Sequence, residues 1–167
     1  VGSQPKIQYF GNILSNLDLA NLQAAGVPGH NAYPAYGFHC AGEAALALTH
    51  ADGNMSTVLV VESVTQNDEP AATVTRIKLK DTVYPLYVTV CYRAYKDVDM
   101  IETWTEIENL GKKAVTLTRF DSGHLPVRVG DVWISHLHGT WAAEGRLTQE
   151  PLERGMMVIK NKDGARN

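Results

Sequence analysis

The side chains of this 167-residue sequence with which chemistry would be done include six histidines, two cysteines and eighteen acids. His136-Leu137-His138 falls in an alternating segment, so both rings project from one face of a strand. That spacing suits two ligands of one metal ion, but a protein zinc site takes three or four side chains. His124 lies twelve residues upstream and Asp131 at a turn, so no third ligand is near in sequence. Structural or hydrogen-bonding histidines are the stronger reading, and no metal or other cofactor is expected. Cys40 follows His39 in a glycine-rich loop. A nucleophilic thiol needs a base oriented by a third group, and neighbours in an extended chain point apart. The adjacency reads as coincidence. A Cys40–Cys91 bridge is open in principle, with two reduced thiols as the blander alternative.

Glu102, Glu106 and Glu108 share one side of a strand pattern. Neighbours on one face stand roughly 7 Å apart, whereas paired acid–base carboxyls of the retaining type stand about 5 to 5.5 Å apart in a cleft. A solvated polar sheet face, with Lys78 or Lys80 across from it, is the simpler account. The aromatic residues are more suggestive. Tyr33-Pro34-Ala35-Tyr36-Gly37 is compact, and Trp104, Trp133 and Trp141 are further candidates. Flat rings with polar tips cover sugar faces, although each tryptophan serves as readily in a core.

The elements that position these groups are strands. The segments Ala44 to His50, Thr57 to Ser63, Thr73 to Lys80, Pro85 to Tyr95, Met100 to Glu108, Val115 to Phe120, Asp131 to His138 and Met156 to Lys160 alternate with period two. Leu86, Val88, Val90 and Tyr92 share one face, opposite Tyr87, Thr89, Cys91, Arg93 and Tyr95. Asn109-Leu110-Gly111-Lys112 signals a hairpin from which Val115 to Phe120 returns. Only Leu14 to Ala25 reads as a helix, capped by Ser15 or Asn16 and stopped at Gly26-Val27-Pro28. This predicts an all-β fold, a two-sheet and mainly antiparallel β-sandwich with at most one or two short helices. At 18.3 kDa the chain makes one domain, residues 1–167. Its formal charge of −3, without a basic block, argues against nucleic acid. No apolar run is long enough to span a membrane as a helix. Val1-Gly2-Ser3 without an initiator Met, and the abrupt Gly164-Ala165-Arg166-Asn167, suggest a piece of a longer polypeptide.

An ordered series of short motifs resembles a known family. Tyr9-Phe10-Gly11, Tyr33-Pro34-Ala35-Tyr36-Gly37, His50-Ala51-Asp52-Gly53-Asn54, Leu79-Lys80-Asp81, Tyr84-Pro85-Leu86, Ile101 to Asn109 and Leu137 to Glu144 follow one another across nearly the whole chain. Together they are similar to the start of the family 36 glycoside hydrolases, the α-galactosidases. The resemblance implies the N-terminal β-sandwich domain of such an enzyme. A (β/α)8 barrel that follows in the family carries both catalytic aspartates, so no residue here inherits a catalytic role. The implied parent, a bacterial enzyme of cytoplasm or periplasm, removes terminal α-galactose from raffinose-type oligosaccharides with retention.

The resemblance also implies partners and contacts. They are an α-galactoside bound through the parent, the catalytic barrel domain, and further copies in a homo-oligomer. In relatives an acid and a base in the loop matching Asn12 to Ala32 touch galactose, sometimes in a neighbouring subunit. This chain offers Asp18 there and no Arg or Lys; after Tyr36-Gly37 it departs from the family pattern with Phe38 to Glu43. Asp18, Tyr36 and Trp104 are the candidate substrate-binding residues. For Trp104, coverage of its polar face by the barrel competes with a sugar platform. An independent carbohydrate-binding module and a purely structural sandwich are the alternatives to the accessory domain.

Overall fold

The computed structural model describes residues 3–37, 42–126, 132–140, 142–152 and 157–159. It holds one helix, α1 (Asn16–Ala24), and ten strands among these residues. They are β1 (Lys6–Ile7), β2 (His30–Asn31), β3 (Leu46–Thr49), β4 (Leu59–Asp68), β5 (Ala72–Asp81), β6 (Leu86–Tyr95), β7 (Ile101–Asn109), β8 (Thr116–Phe120), β9 (Trp133–Thr140) and β10 (Ala143–Pro151). The chain divides into two compact units, Val1–Pro126 and Val127–Asn167.

In the first unit, β4-β5-β6-β7 form an antiparallel meander. Its inner face packs on a second layer made of the antiparallel pair β3–β8, with Ala35 bridged in parallel to Leu46. Alternation puts Leu59, Leu79, Leu86, Val88 and Val90 inside, against Tyr33, Ala35, Leu46 and Leu48. These are the all-β sandwich and the inner face read from the period-two pattern.

The return after Asn109 differs from the sequence expectation. Val115 to Phe120 does not fold back on β7; β8 crosses to the other layer and pairs with β3. The reason lies in the turn. Asn109 Oδ1 accepts the Gly111 N–H at 3.0 Å, and Asn109 Nδ2 donates to the Lys113 carbonyl at 2.9 Å. This side-chain-locked bend spans five residues and redirects the chain instead of closing a two-residue hairpin. The tight turn lies elsewhere. Gly53, at φ +88°, donates its N–H to the His50 carbonyl at 2.9 Å.

The second unit contains the antiparallel hairpin β9–β10, with Leu137 opposite Leu147 and His136 opposite Thr148. β9 matches the expected strand near Asp131 to His138, whereas β10 was not foreseen. For Met156 to Lys160, residues 157–159 carry no strand, and Met156 and Lys160 lie outside the described residues, as do Asp131 and Trp141.

Candidate functional site

Asp18 sits at the third position of α1, in a reciprocal cap with Ser15. Ser15 Oγ and the Ser15 N–H donate to Asp18 Oδ2 at 2.6 and 3.1 Å, and the Asp18 N–H donates back to Ser15 Oγ at 3.2 Å. The side-chain bond first, then the backbone bond, hold its carboxyl below the ordinary value. The cap is the helix's own stabiliser, because α1 buries none of its residues. Nine residues without a tertiary face are marginal as a helix.

The aromatic loop separates into an anchor and a free ring. Tyr33 is buried and donates its hydroxyl to the Asp121 carbonyl at 3.0 Å. Tyr36 is 50% exposed, while its backbone joins Leu46 and Thr57. Position 37 requires glycine: φ is +98°, and a Cβ would come within 2.6 Å of Ser56 Oγ.

Trp104 lies on the opposite, outer face of the meander, paired across to Cys91. It is half-buried. Its ring carries the guanidiniums of Arg76 and Arg93, 5.7 and 5.4 Å from the centroid. Its indole N–H donates to Glu106 Oε1 at 3.1 Å. Glu102 accepts from Arg93 at 3.0 Å and from the Tyr95 hydroxyl at 3.2 Å. The acidic row is therefore woven into a sheet surface. Cys91, beneath it, is fully buried and a free thiol, pushed up in pKa by burial and then by Glu106. Cys40, its conceivable partner, lies outside the described residues together with His39. The structure thus places Asp18, Tyr36 and Trp104 apart: on a bare helix, on the second layer, and on the outer sheet face.

Two features were not singled out from sequence. One is a groove of about 510 Å³ where the inner face outruns the second layer, lined by Tyr9, Phe10, Tyr92, Ile101, Thr103 and His124 among others. Among the described residues the buried Tyr92 hydroxyl there has no hydrogen-bond partner, and burial raises its pKa. The alternating pattern identifies Tyr92 as inward but says nothing of what its hydroxyl meets.

The other is a polar knot at the opposite end. His50 stacks on Tyr84 at 3.5 Å between centroids. The Tyr84 hydroxyl donates to Asp52 Oδ2 at 2.8 Å and accepts from Asn54 Nδ2 at 2.9 Å. Buried Asp81 accepts the N–H groups of Val58, Val83 and Tyr84 at 2.7 to 2.9 Å. Residues of three separate sequence motifs thus hold one loop cluster together, which is a structural reason for their occurring in one chain.

In the second unit, the His136 and His138 rings lie 6.1 Å apart. His138 Nδ1 and Thr148 Oγ1 share a hydrogen bond of 2.9 Å. Among the described residues no three His, Cys, Asp or Glu side chains gather as a metal site.

Comparison with known proteins adds the family. The profile of the glycosyl hydrolase family 36 N-terminal domain matches residues 3–167. Alpha-galactosidase AgaA of Geobacillus stearothermophilus is 32% identical over 98 residues, 58% of this chain and 13% of that one. The crystal structure of AgaA superposes with a TM-score of 0.73 at 24% identity, over 82% of this chain and 21% of its own. AgaB of the same organism gives 0.71 at 25% identity, over 81% and 21%. An alpha-galactosidase from Lactobacillus brevis gives 0.71 at 20% identity, over 95% and 24%. The chain spans an eighth to a quarter of the length of these relatives.

Proposed function

As the chain belongs to the glycosyl hydrolase family 36 N-terminal domains, we propose that residues 1–167 serve as the non-catalytic N-terminal domain of a bacterial α-galactosidase. The parent would remove terminal α-galactose from oligosaccharides. Variants of the relative AgaA have been crystallised with raffinose and with stachyose, which supports raffinose-type substrates. The chemistry would come from the longer part of the parent, its catalytic barrel. The domain's share would be to shape the sugar pocket and to assist assembly into a homo-oligomer.

One observation supports this reading: among the described residues of the first unit, the second layer is shorter than the four-stranded sheet. At about 3.3 Å per residue, the ten residues of β4, β5 or β6 span about 33 Å. The four residues of β3 and five of β8 cover only about 13 and 17 Å of that. Beyond them Val64 is 59% and Ile101 51% exposed, on the face that elsewhere forms the core. An uncovered apolar surface of this kind marks a contact. The remaining chain of a protein four or more times longer would supply the cover.

Among the candidate contacts, Asp18 on its bare helix and exposed Tyr36 are free to reach a sugar pocket completed by the barrel or by a neighbouring subunit. Trp104 is the weakest sugar platform of the three, because two guanidiniums already attend its ring. Its face suits another protein surface better. Turnover of an aryl α-galactoside by the 167-residue chain alone should be nil. In the full-length enzyme, Asp18→Ala should raise KM or alter assembly. Catalysis by the isolated chain, abolished by a point change within it, would overturn the proposal.

An independent carbohydrate-binding module remains the second reading, favoured by the exposed rings of Tyr9 and Phe10 beside the groove. Titration of the isolated chain with galactose and raffinose separates the two; saturable binding supports the module.

A further inference from the structure

The hairpin β9–β10 brings together side chains that the sequence keeps apart. Directly opposed residues of an antiparallel pair share a face. The register therefore puts Ile134, His136 and His138 of β9 on one side with Arg146, Thr148 and Glu150 of β10. His138 stands opposite Arg146, yet its Nδ1 shares a 2.9 Å hydrogen bond with Thr148 Oγ1, two residues further along β10. The twist of the hairpin closes that diagonal. Two residues back along β9, the same diagonal leads from His136, opposite Thr148, to Glu150. Glu150 is exposed, and its carboxylate has no hydrogen bond or ion pair among the described residues.

The two rings are spaced for chelation. Zinc–nitrogen bonds of about 2.0 to 2.1 Å put the ion about 3.2 Å from each imidazole centroid. Two rings on one ion then lie at most about 6.4 Å apart, and about 5.2 Å apart at the tetrahedral angle. The His136 and His138 centroids are 6.1 Å apart, inside that limit. With Nδ1 of His138 donating to Thr148 Oγ1, Nε2 is left to bind, the arrangement that orients metal-ligating histidines. His136 Nδ1 is buried with no hydrogen-bond partner among the described residues, so turning that ring breaks no bond there.

We propose that His136, His138 and Glu150 bind a divalent ion of the zinc class that clips β9 to β10. Two imidazoles and a carboxylate suit zinc, with water in the fourth position. The third ligand that the β9 segment lacks comes from β10, the strand with no signal in the sequence. Glu150 has to swing about its side-chain torsions to join the rings, since no three ligands are gathered among the described residues. Arg146 is the cation on this face. It is exposed and in no ion pair among the described residues, so its guanidinium is free to extend into solvent. A two-stranded hairpin is marginal by itself, and an ion held from both strands stabilises it by binding only the folded form. Such a clip stands or falls independently of the α-galactosidase reading.

Calorimetric titration of the 167-residue chain, free of any histidine tag, with zinc chloride tests the site. One equivalent should bind with a micromolar Kd. His136→Gln and His138→Gln should each weaken binding at least about tenfold, and Glu150→Gln about tenfold. Thr148→Val, which releases the His138 ring, should cost about tenfold as well. A readout that needs no variant is the imidazole NMR spectrum, in which zinc should shift His136 and His138 and leave the other four histidines in place. Absence of saturable binding, shifts confined to the other histidines, or unchanged affinity in either histidine variant would overturn the proposal. So would unchanged affinity in Glu150→Gln, because the ion would then be held by one strand and clip nothing.

Discussion

The two ends of the four-stranded sheet are built from similar residues and meet opposite fates. At one end Leu59, Leu79 and Leu86 are sealed under the second layer, and Asp81 ties three N–H groups beside them. At the other, Val64, Tyr92 and Ile101 point from the same face, yet they line an open groove or solvent. Burial here follows the reach of β3 and β8, not the hydrophobicity of the strand. The sealed end behaves as a finished domain. Under the proposed function, the bare end is where the rest of the parent would dock.

This contrast is open to attack by mutation. Leu79→Ala should destabilise the chain by about 2 to 5 kcal/mol, because it leaves a cavity in a packed core. Ile101→Ala at the bare end should cost less than about 1 kcal/mol. Urea unfolding of both variants checks the ratio, and equal losses would dissolve the distinction between the ends. Asp81→Ala should cost about 2 to 4 kcal/mol by orphaning three backbone donors, read in the same titration.

A lesser effect is expected on α1. Ser15→Ala removes the cap and should melt the helix locally, at about 0.5 to 2 kcal/mol. Amide exchange at residues 16–24 should rise while the global midpoint stays put, since the helix buries nothing. Acid should act at the knot. Hydrogen bonds, first from the Asn54 N–H and then from the Tyr84 hydroxyl, lower the pKa of Asp52 below its ordinary 3.8. A lowered folded-state value contributes stability above the unfolded pKa, and that contribution is lost as pH falls through the folded value. The His50–Tyr84 end should therefore loosen only below about pH 4, and Asp52→Asn should flatten that response in near-ultraviolet circular dichroism. The smallest effect belongs to Tyr92→Phe. Removing a buried, unpartnered hydroxyl should leave stability within about 0.5 kcal/mol of the parent value or raise it slightly.

Much of this was legible in the sequence. The faces of β5, β6 and β7 follow from strict alternation, and the helix with its Ser15 cap follows from local hydrogen-bonding chemistry. β10 was not legible. In AEGRLTQEP only Leu147 is a large apolar residue before the closing proline, so no period-two signal exists. The turn before it uses Ala142 at φ +62° rather than glycine or asparagine, against the usual steric preference. The partnership of β8 with β3 was hidden for another reason. A hairpin signal reports that the chain bends, not which strand it meets after a five-residue bend. At the site, types and positions of Asp18, Tyr36 and Trp104 were readable. The two arginines over Trp104 were not, because ring contacts depend on register across three strands.

Hydroxyl-radical footprinting of the 167-residue chain against the full-length enzyme tests the central claim most directly. If the bare end is an interface of an accessory domain, oxidation of Phe10, Val64, Tyr92 and Ile101 should fall sharply in the full-length protein. Labelling of Leu79 and Leu86 should stay low in both. Equal labelling of the bare end in the two proteins would contradict the account, since nothing in the parent would then cover it.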